Sequence, residues 1–176
     1  EDPEGPAPKG MIFIPGGVFM MGGVFSSLEL PVHQLIPEKF WLQETDVTTA
    51  QYSRYLEGLR VRDTSRYQAA LPKGDHQFCN YSLAQTSPKT GKDDHPMNCV
   101  TFEQAQDYCE SFGWRLPTEV EWEYVAHGRS STTYPWGNEK KIAPSNPDGA
   151  AKKTKSPQIS TVLANNAMFD KRSEER

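Results

Sequence analysis

Apolar residues alternate along MIFIPGGVFMMGG, residues 11–23, on both sides of Pro15-Gly16-Gly17. This period of two predicts two short strands around a glycine turn, with a bulge as the alternative. The run FWLQETDVT, residues 40–48, reads as a further strand leading into a helix. Thr48 or Thr49 is placed to cap that helix, and Tyr52, Tyr55, Leu56 and Leu59 then fall on one face at helical spacing. From 60 to 94 the pattern turns polar, punctuated by Pro72, Gly74, Pro88 and Gly91. It reads as a long structured connection, and such loops tend to carry function.

A second helix is predicted after HPMNCV. Thr101 and Gln104 fit a capping box, Phe102, Ala105, Cys109 and Phe112 share a face, and Gly113 stops it. The densest stretch, FGWRLPTEVEWEY at 112–124, opens a third helix. Thr118 caps it, Glu121 completes the box, Glu119 suits the positive end of the helix dipole, and His127-Gly128 ends it. Arg115 lies close enough in sequence to pair with a glutamate. These roles explain the stretch as a structural anchor rather than a catalytic cluster. YPWGNE, 134–139, is an aromatic-rich turn, and beyond it residues 138–176 show little periodicity, with KRSEER at the end reading as solvated.

Short elements joined by loops agree with a composition in which 13 glycines and 14 prolines accompany sparse apolar residues. A chain of 176 residues suffices for one domain, or for most of a larger one. The net charge of −4 is spread out, and Lys152-Lys153-Thr154-Lys155 reads as a solvated loop. No basic stripe interleaves with aromatics, which argues against nucleic-acid binding. No apolar run approaches the ~18 residues of a membrane span. The opening EDPEGPAPKG, residues 1–10, reads as a flexible tether of the kind found on exported or membrane-hung domains, ahead of a domain expected over 11–176.

Three cysteines, Cys79, Cys99 and Cys109, leave one over if a single bridge forms. A Cys79–Cys99 disulfide would close a Ser-, Thr-, Pro- and Gly-rich loop and remove unfolded-state entropy worth about 3 kcal/mol. Cys109 is then the orphan, on the buried side of its helix, with its partner expected outside this chain. The same segment allows a zinc reading, since His76-x2-Cys79 and His95-x3-Cys99 have tetrahedral-site spacing. Asn80-Tyr81-Ser82 matches a glycosylation acceptor, and His33 and His127 are lone histidines near element ends that read as structural. No nucleophile elbow, phosphate loop or dinucleotide fingerprint occurs.

GMIFIPGGVFMMGG, ELPVHQ, TDVTTAQYSRYL, HPMNCVTFEQAQDYC, GWRLPTEVEWEYVAHG and YPWGNE follow one another in the order and spacing of the formylglycine-generating enzyme, or sulfatase-modifying factor, family. The chain resembles that family over roughly 11–139. The resemblance implies an α+β domain of the family's C-type lectin-like fold, loop-rich, with few helices and small twisted sheets, often with bound calcium. In the family an Asn after the tryptophan turn and the carbonyl of the next residue are calcium ligands. Asn146 and Pro147 stand near that place, with Asp148 as a further oxygen donor. The family's later aspartate ligand has no counterpart in AAKKTKSPQIS, and Asn-Pro-Asp-Gly is also a good plain turn. The His-Pro-x-x-Cys segment belongs to the family pattern, which needs no zinc there, so the disulfide is preferred. Arg115, Thr118, Glu121, Trp122 and Trp136 are read as structural keystones.

Active members of the family continue into blocks that hold two copper-binding cysteines and a cysteine that bridges the equivalent of Cys109. None of these has a counterpart here, and VLANNAMFDKRSEER only faintly resembles the next block. The expected function is therefore non-catalytic: a binding or regulatory domain presenting loops to a protein or glycan partner, with a partner strand or chain completing the fold. The alternative is a copper-dependent oxidase that converts sulfatase cysteines to formylglycine, of which this chain is the front half. A cysteine-bridged domain of this kind is expected to be exported, to a periplasm, an organelle lumen or the medium.

Overall fold

The computed structural model describes residues 7–23, 29–128 and the backbone of the short strand at 169–170. The chain divides into two compact units, one from residues 1–15, 39–117 and 161–176, the other from 16–38 and 118–160. Among the described residues four helices and four two-stranded antiparallel sheets make a loop-rich α+β architecture.

In the larger unit, strand β1 (Met11–Ile14) pairs with β4 (Phe40–Gln43), Met11 opposite Gln43 and Ile14 opposite Phe40. Helix α1 (Thr49–Arg62) follows at once. Thr48 is its cap: its Oγ1 accepts from Gln51 N at 3.2 Å, while Gln51 Oε1 accepts from Thr48 N at 2.7 Å. Arg60 and Arg62 lie in the last turn, where cations offset the helix dipole. Tyr52, Tyr55, Leu56 and Leu59 are buried, as their spacing predicts.

The stretch from 60 to 94 is more ordered than its polarity implies. Asp63 closes α1 and, accepting Arg66 N at 3.0 Å, starts a second helix, α2 (Thr64–Ala70). Two turns with a single buried residue, Ala70, leave no apolar stripe for periodicity to reveal. Beyond it, β5 (Tyr81–Ser82) and β6 (Ser87–Pro88) form a small hairpin. Cys79 and Cys99 are joined in a disulfide that brackets the hairpin, their Cα atoms 5.8 Å apart.

Helix α3 (Phe102–Ser111) carries the expected Thr101–Gln104 capping box. Its buried face is Gln104, Ala105, Tyr108 and Cys109. Phe102 and Phe112 are not part of that face: they are 56% and 49% exposed. Tyr108 explains the rotation, because it stacks on Tyr52 (centroids 5.3 Å) and meets Tyr55 edge-on (5.1 Å), filling the core from α3. Buried Gln104 donates Nε2 to the carbonyls of Ala69 (2.7 Å) and Leu71 (2.6 Å), tying down the end of α2. Gly113, at φ +76°, adopts the left-handed conformation that ends α3 and leads into β7 (Trp114–Arg115), which pairs with β8 (Phe169–Asp170).

The smaller unit is built on β2 (Phe19–Met21), paired with β3 (His33–Leu35), and on α4 (Glu119–His127). Both predicted strands around Pro15-Gly16-Gly17 exist, yet β1 and β2 do not pair with each other. Just ahead of β2, Gly17 lies so close to α4 that a Cβ there would sit 3.0 Å from Tyr124 Oη. Thr118 and Glu121 cap α4 reciprocally, Phe19 meets Tyr124 edge-on at 5.2 Å, and Gly22 N donates to Glu123 Oε1 at 2.6 Å.

In the turn between β4 and α1, Asp46 Oδ1 is buried without a hydrogen-bond partner among the described residues. Burial raises its carboxyl above the ordinary 3.8. The folded state thus favours the neutral acid. The penalty for Asp46 is absent below 3.8, where both states are protonated, grows as pH rises from there, and is complete once pH exceeds the raised value. Asp46→Asn is expected to raise the urea midpoint at pH 7 and to leave it unchanged below pH 3.8. A lower midpoint at pH 7 would mean that the carboxylate has a stabilising partner.

Candidate functional site

The larger unit holds a cleft of about 770 Å³, within the usual range of ligand sites. One side of it is α1. Gln51, Arg54, Tyr55, Gly58, Leu59 and Arg62 recur at three- and four-residue steps, so a single face of the helix lines the cleft. Lys9 to Met11 and Gln43 to Thr45 form a second wall, Asp63 and Arg66 close one end, and Tyr108, Ser111, Phe112 and Trp114 supply an aromatic floor.

The floor is a continuous ring cluster. Phe112 stacks on Trp114 (5.7 Å), packs against Tyr108 (5.0 Å) and reaches Tyr55 (6.5 Å). The Tyr55 hydroxyl donates to Asp107 Oδ2, and Arg66 Nη2 donates to Asp107 Oδ1 at 2.8 Å. Burial, reinforced by the bond to Asp107, pushes the Tyr55 hydroxyl well above the ordinary tyrosine range, so it stays a neutral donor. The Arg66–Asp107 pair is roughly half exposed on both sides and contributes little to stability by itself. Its role is to fix where Tyr55 and Arg66 stand. Lys9, Arg54 and Arg62 form no ion pair among the described residues.

Gly58 is the unusual lining residue. In a helix interior glycine costs about 1 kcal/mol relative to alanine. Here an added Cβ would meet no atom within 4 Å, so packing does not demand the glycine. The space above it belongs to the cleft.

Of the residues singled out in sequence, Cys79 and Cys99 are disulfide-bonded and Cys109 is free and buried. Thr118 and Glu121 form the α4 cap, Arg115 Nη1 donates to Leu116 O at 3.1 Å, and Trp122 is 37% exposed. Asn146, Pro147, Asp148 and Trp136 lie outside the described residues. His76 stacks on Phe78 (5.2 Å), and the His95 carbonyl accepts from Thr49 Oγ1 at 3.0 Å, so both histidine segments serve the fold. Among the described residues no group of three or more His, Cys, Asp or Glu side chains could hold a metal ion. Nor do these residues fit a copper–thiolate pair: two thiols are bonded to each other, and burial pushes the third, Cys109, up to about 12. Cleft residues Arg54, Gly58 and Arg62 were legible only as polar positions of a helix. Their four-residue spacing opposite a tyrosine-rich face is the signal that could have found them.

Residues 1–165 match the model of the sulfatase-modifying factor enzyme 1-like domain family. The serine/threonine-protein kinase pkn1 of Chlamydia pneumoniae is 37% identical over 131 residues, covering 73% of this chain and 21% of the kinase. The formylglycine-generating enzyme of Streptomyces coelicolor is 31% identical over 161 residues, covering 74% of this chain and 51% of the enzyme. The structure of PvdO from Pseudomonas aeruginosa superposes with a TM-score of 0.56 at 22% identity, over 74% of this chain and 52% of that one. The chain thus spans about half the length of the enzyme and of PvdO, and about a fifth of the kinase.

With its thiol raised to about 12 and 1% exposed, Cys109 should resist alkylation by iodoacetamide at pH 8 in the folded protein and react once in urea. Mass spectrometry of the alkylated chain reads this directly. Rapid labelling of the folded protein would contradict the buried, protonated thiol.

Proposed function

Since the chain belongs to the family of sulfatase-modifying factor enzyme 1-like domains, we propose that it is a binding domain whose ordered loops and cleft hold a protein partner, without chemistry of their own. The cleft beside α1 is the observation that carries this reading. Its aromatic floor and arginine stripe offer apolar area and charge to a ligand, while the side chains around it include no thiol, hydroxyl–imidazole pair or metal cluster. A protein partner suits this lining better than a glycan, because free guanidinium groups seek carboxylates, which neutral sugars lack. Among the described residues no helix is long and apolar enough to cross a membrane. The Cys79–Cys99 disulfide supports an oxidising compartment such as a periplasm, an organelle lumen or the medium. Calcium held by Asn146, Pro147 and Asp148 is part of this proposal and is supported by the family likeness alone.

The likeness to formylglycine-generating enzymes favours one other reading, a copper-dependent oxidase acting on a sulfatase cysteine. In that reading the described residues supply a scaffold and a docking surface, since none of the three thiols is both free and exposed. The two readings separate in one assay. The chain, supplied with copper, oxygen and a cysteine-containing sulfatase peptide, is expected to leave the peptide's mass and thiol content unchanged. Conversion of the cysteine to an aldehyde, trapped with a hydrazide and seen by mass spectrometry, would overturn the binding-only reading.

A further inference from the structure

We infer that the cleft beside α1 is a groove for an extended acidic peptide segment that carries a bulky apolar residue between two carboxylates. This deepens the binding reading above and rests on it.

The first support is charge. The whole chain carries −4, yet the cleft is lined by Lys9, Arg54, Arg62 and Arg66 against Glu44 and Asp63. Arg66 is engaged with Asp107, and the Asp63 carboxylate caps α2. Among the described residues Lys9, Arg54 and Arg62 thus have no ion-pair partner, three cations against the one unengaged carboxylate of Glu44, and a guanidinium grips a carboxylate with two parallel hydrogen bonds. The second support is spacing. Arg54 and Arg62 are two helical turns apart on the same stripe, about 12 Å along the axis. An extended peptide covers that distance in about four residues. Carboxylates at the first and fifth positions would meet the two arginines, and the third residue would lie over the middle of the stripe.

The third support is Gly58, which occupies that middle position. The fold does not use its lack of a side chain, since a Cβ there would touch nothing. A ligand that passes close to the helix does use it. The half-exposed Phe112, backed by Trp114 and Tyr108, offers the apolar contact for the central residue.

The test uses the full chain and a fluorescein-labelled peptide Glu-Gly-Phe-Gly-Glu, followed by fluorescence anisotropy. Lys-Gly-Phe-Gly-Lys, Glu-Gly-Ala-Gly-Glu and inorganic phosphate serve as competitors. The acidic phenylalanine peptide should bind, and its competitors should displace it at least tenfold more weakly. The double variant R54E/R62E should weaken binding at least tenfold, whereas Arg60→Glu, outside the cleft, should not. Gly58→Ala should raise the urea midpoint and still weaken binding several-fold, a combination that misfolding cannot produce. Three outcomes overturn the groove: no binding, equal displacement by phosphate or the lysine peptide, or a Gly58→Ala variant that is stabilised and binds unchanged. Self-association that Gly58→Ala abolishes would also overturn it, by assigning the cleft to a second copy. Binding that ignores Arg54, Arg62 and Gly58 removes this groove but leaves the binding role intact. Aldehyde formation on the sulfatase peptide removes the binding-only reading whatever the anisotropy shows.

Discussion

The interlock of Tyr52, Tyr55 and Tyr108 between α1 and α3 is the contact on which the larger unit depends. Tyr52 and Tyr108 stack, Tyr55 meets both at an angle, and each ring adds aromatic contact energy of about 0.5–1.5 kcal/mol per pair beyond its buried area. Three tyrosines in one core also raise a polar problem. It is solved at two positions by the Tyr52 hydroxyl donating to Ala70 O at 2.9 Å and the Tyr55 hydroxyl donating to Asp107. Those two bonds extend the cluster outward: the first reaches the end of α2, the second reaches Arg66 at its start. One set of rings thus positions α2 and one end of the cleft.

The same arrangement makes α1 a helix with two uses. Tyr52 and Leu56 point wholly into the core, Tyr55 and Leu59 lie at the border, and Arg54, Gly58 and Arg62 stand on the side that lines the cleft. Side chains that bind a ligand gain most when their backbone is already fixed, because less freedom is lost on binding. A helix held on one face by aromatic packing supplies that fixity to the stripe on the other. The disulfide is not part of the cleft lining; it restricts the unfolded chain by about 3 kcal/mol and brackets a hairpin whose Tyr81 is already buried in the core.

Much of this was legible in the sequence where the signal is local. Capping boxes at Thr101 and Thr118 depend on residues three apart, and both form, while Thr48, one of two caps the sequence offers for α1, makes a third box with Gln51. The buried face of α1 follows from its period. On α3 Ala105 and Cys109 are buried as their spacing predicts, but Phe102 and Phe112 are apolar without facing inward, because the tyrosines across the core decide the helix's rotation. Helix α2 was missed because it is anchored by a cap and a buried glutamine instead of an apolar stripe. Alternation around Pro15-Gly16-Gly17 reveals two strands, and both exist, but it does not reveal their partners. The cleft is assembled from four separated segments, so the sequence offers only the four-residue spacing of Arg54, Gly58 and Arg62, which look like solvated helix positions until the floor beneath them is seen.

Native-state hydrogen exchange on the full chain tests most directly whether the tyrosine interlock holds α1 rigid for its outer stripe. Amides of α1 between Tyr52 and Leu59, and of α3 between Ala105 and Cys109, should exchange only through a shared opening, with equal free energies and equal dependence on urea. If α1 opens at a distinctly lower free energy while α3 stays protected, the interlock does not fix the helix, and the cleft has no preformed wall.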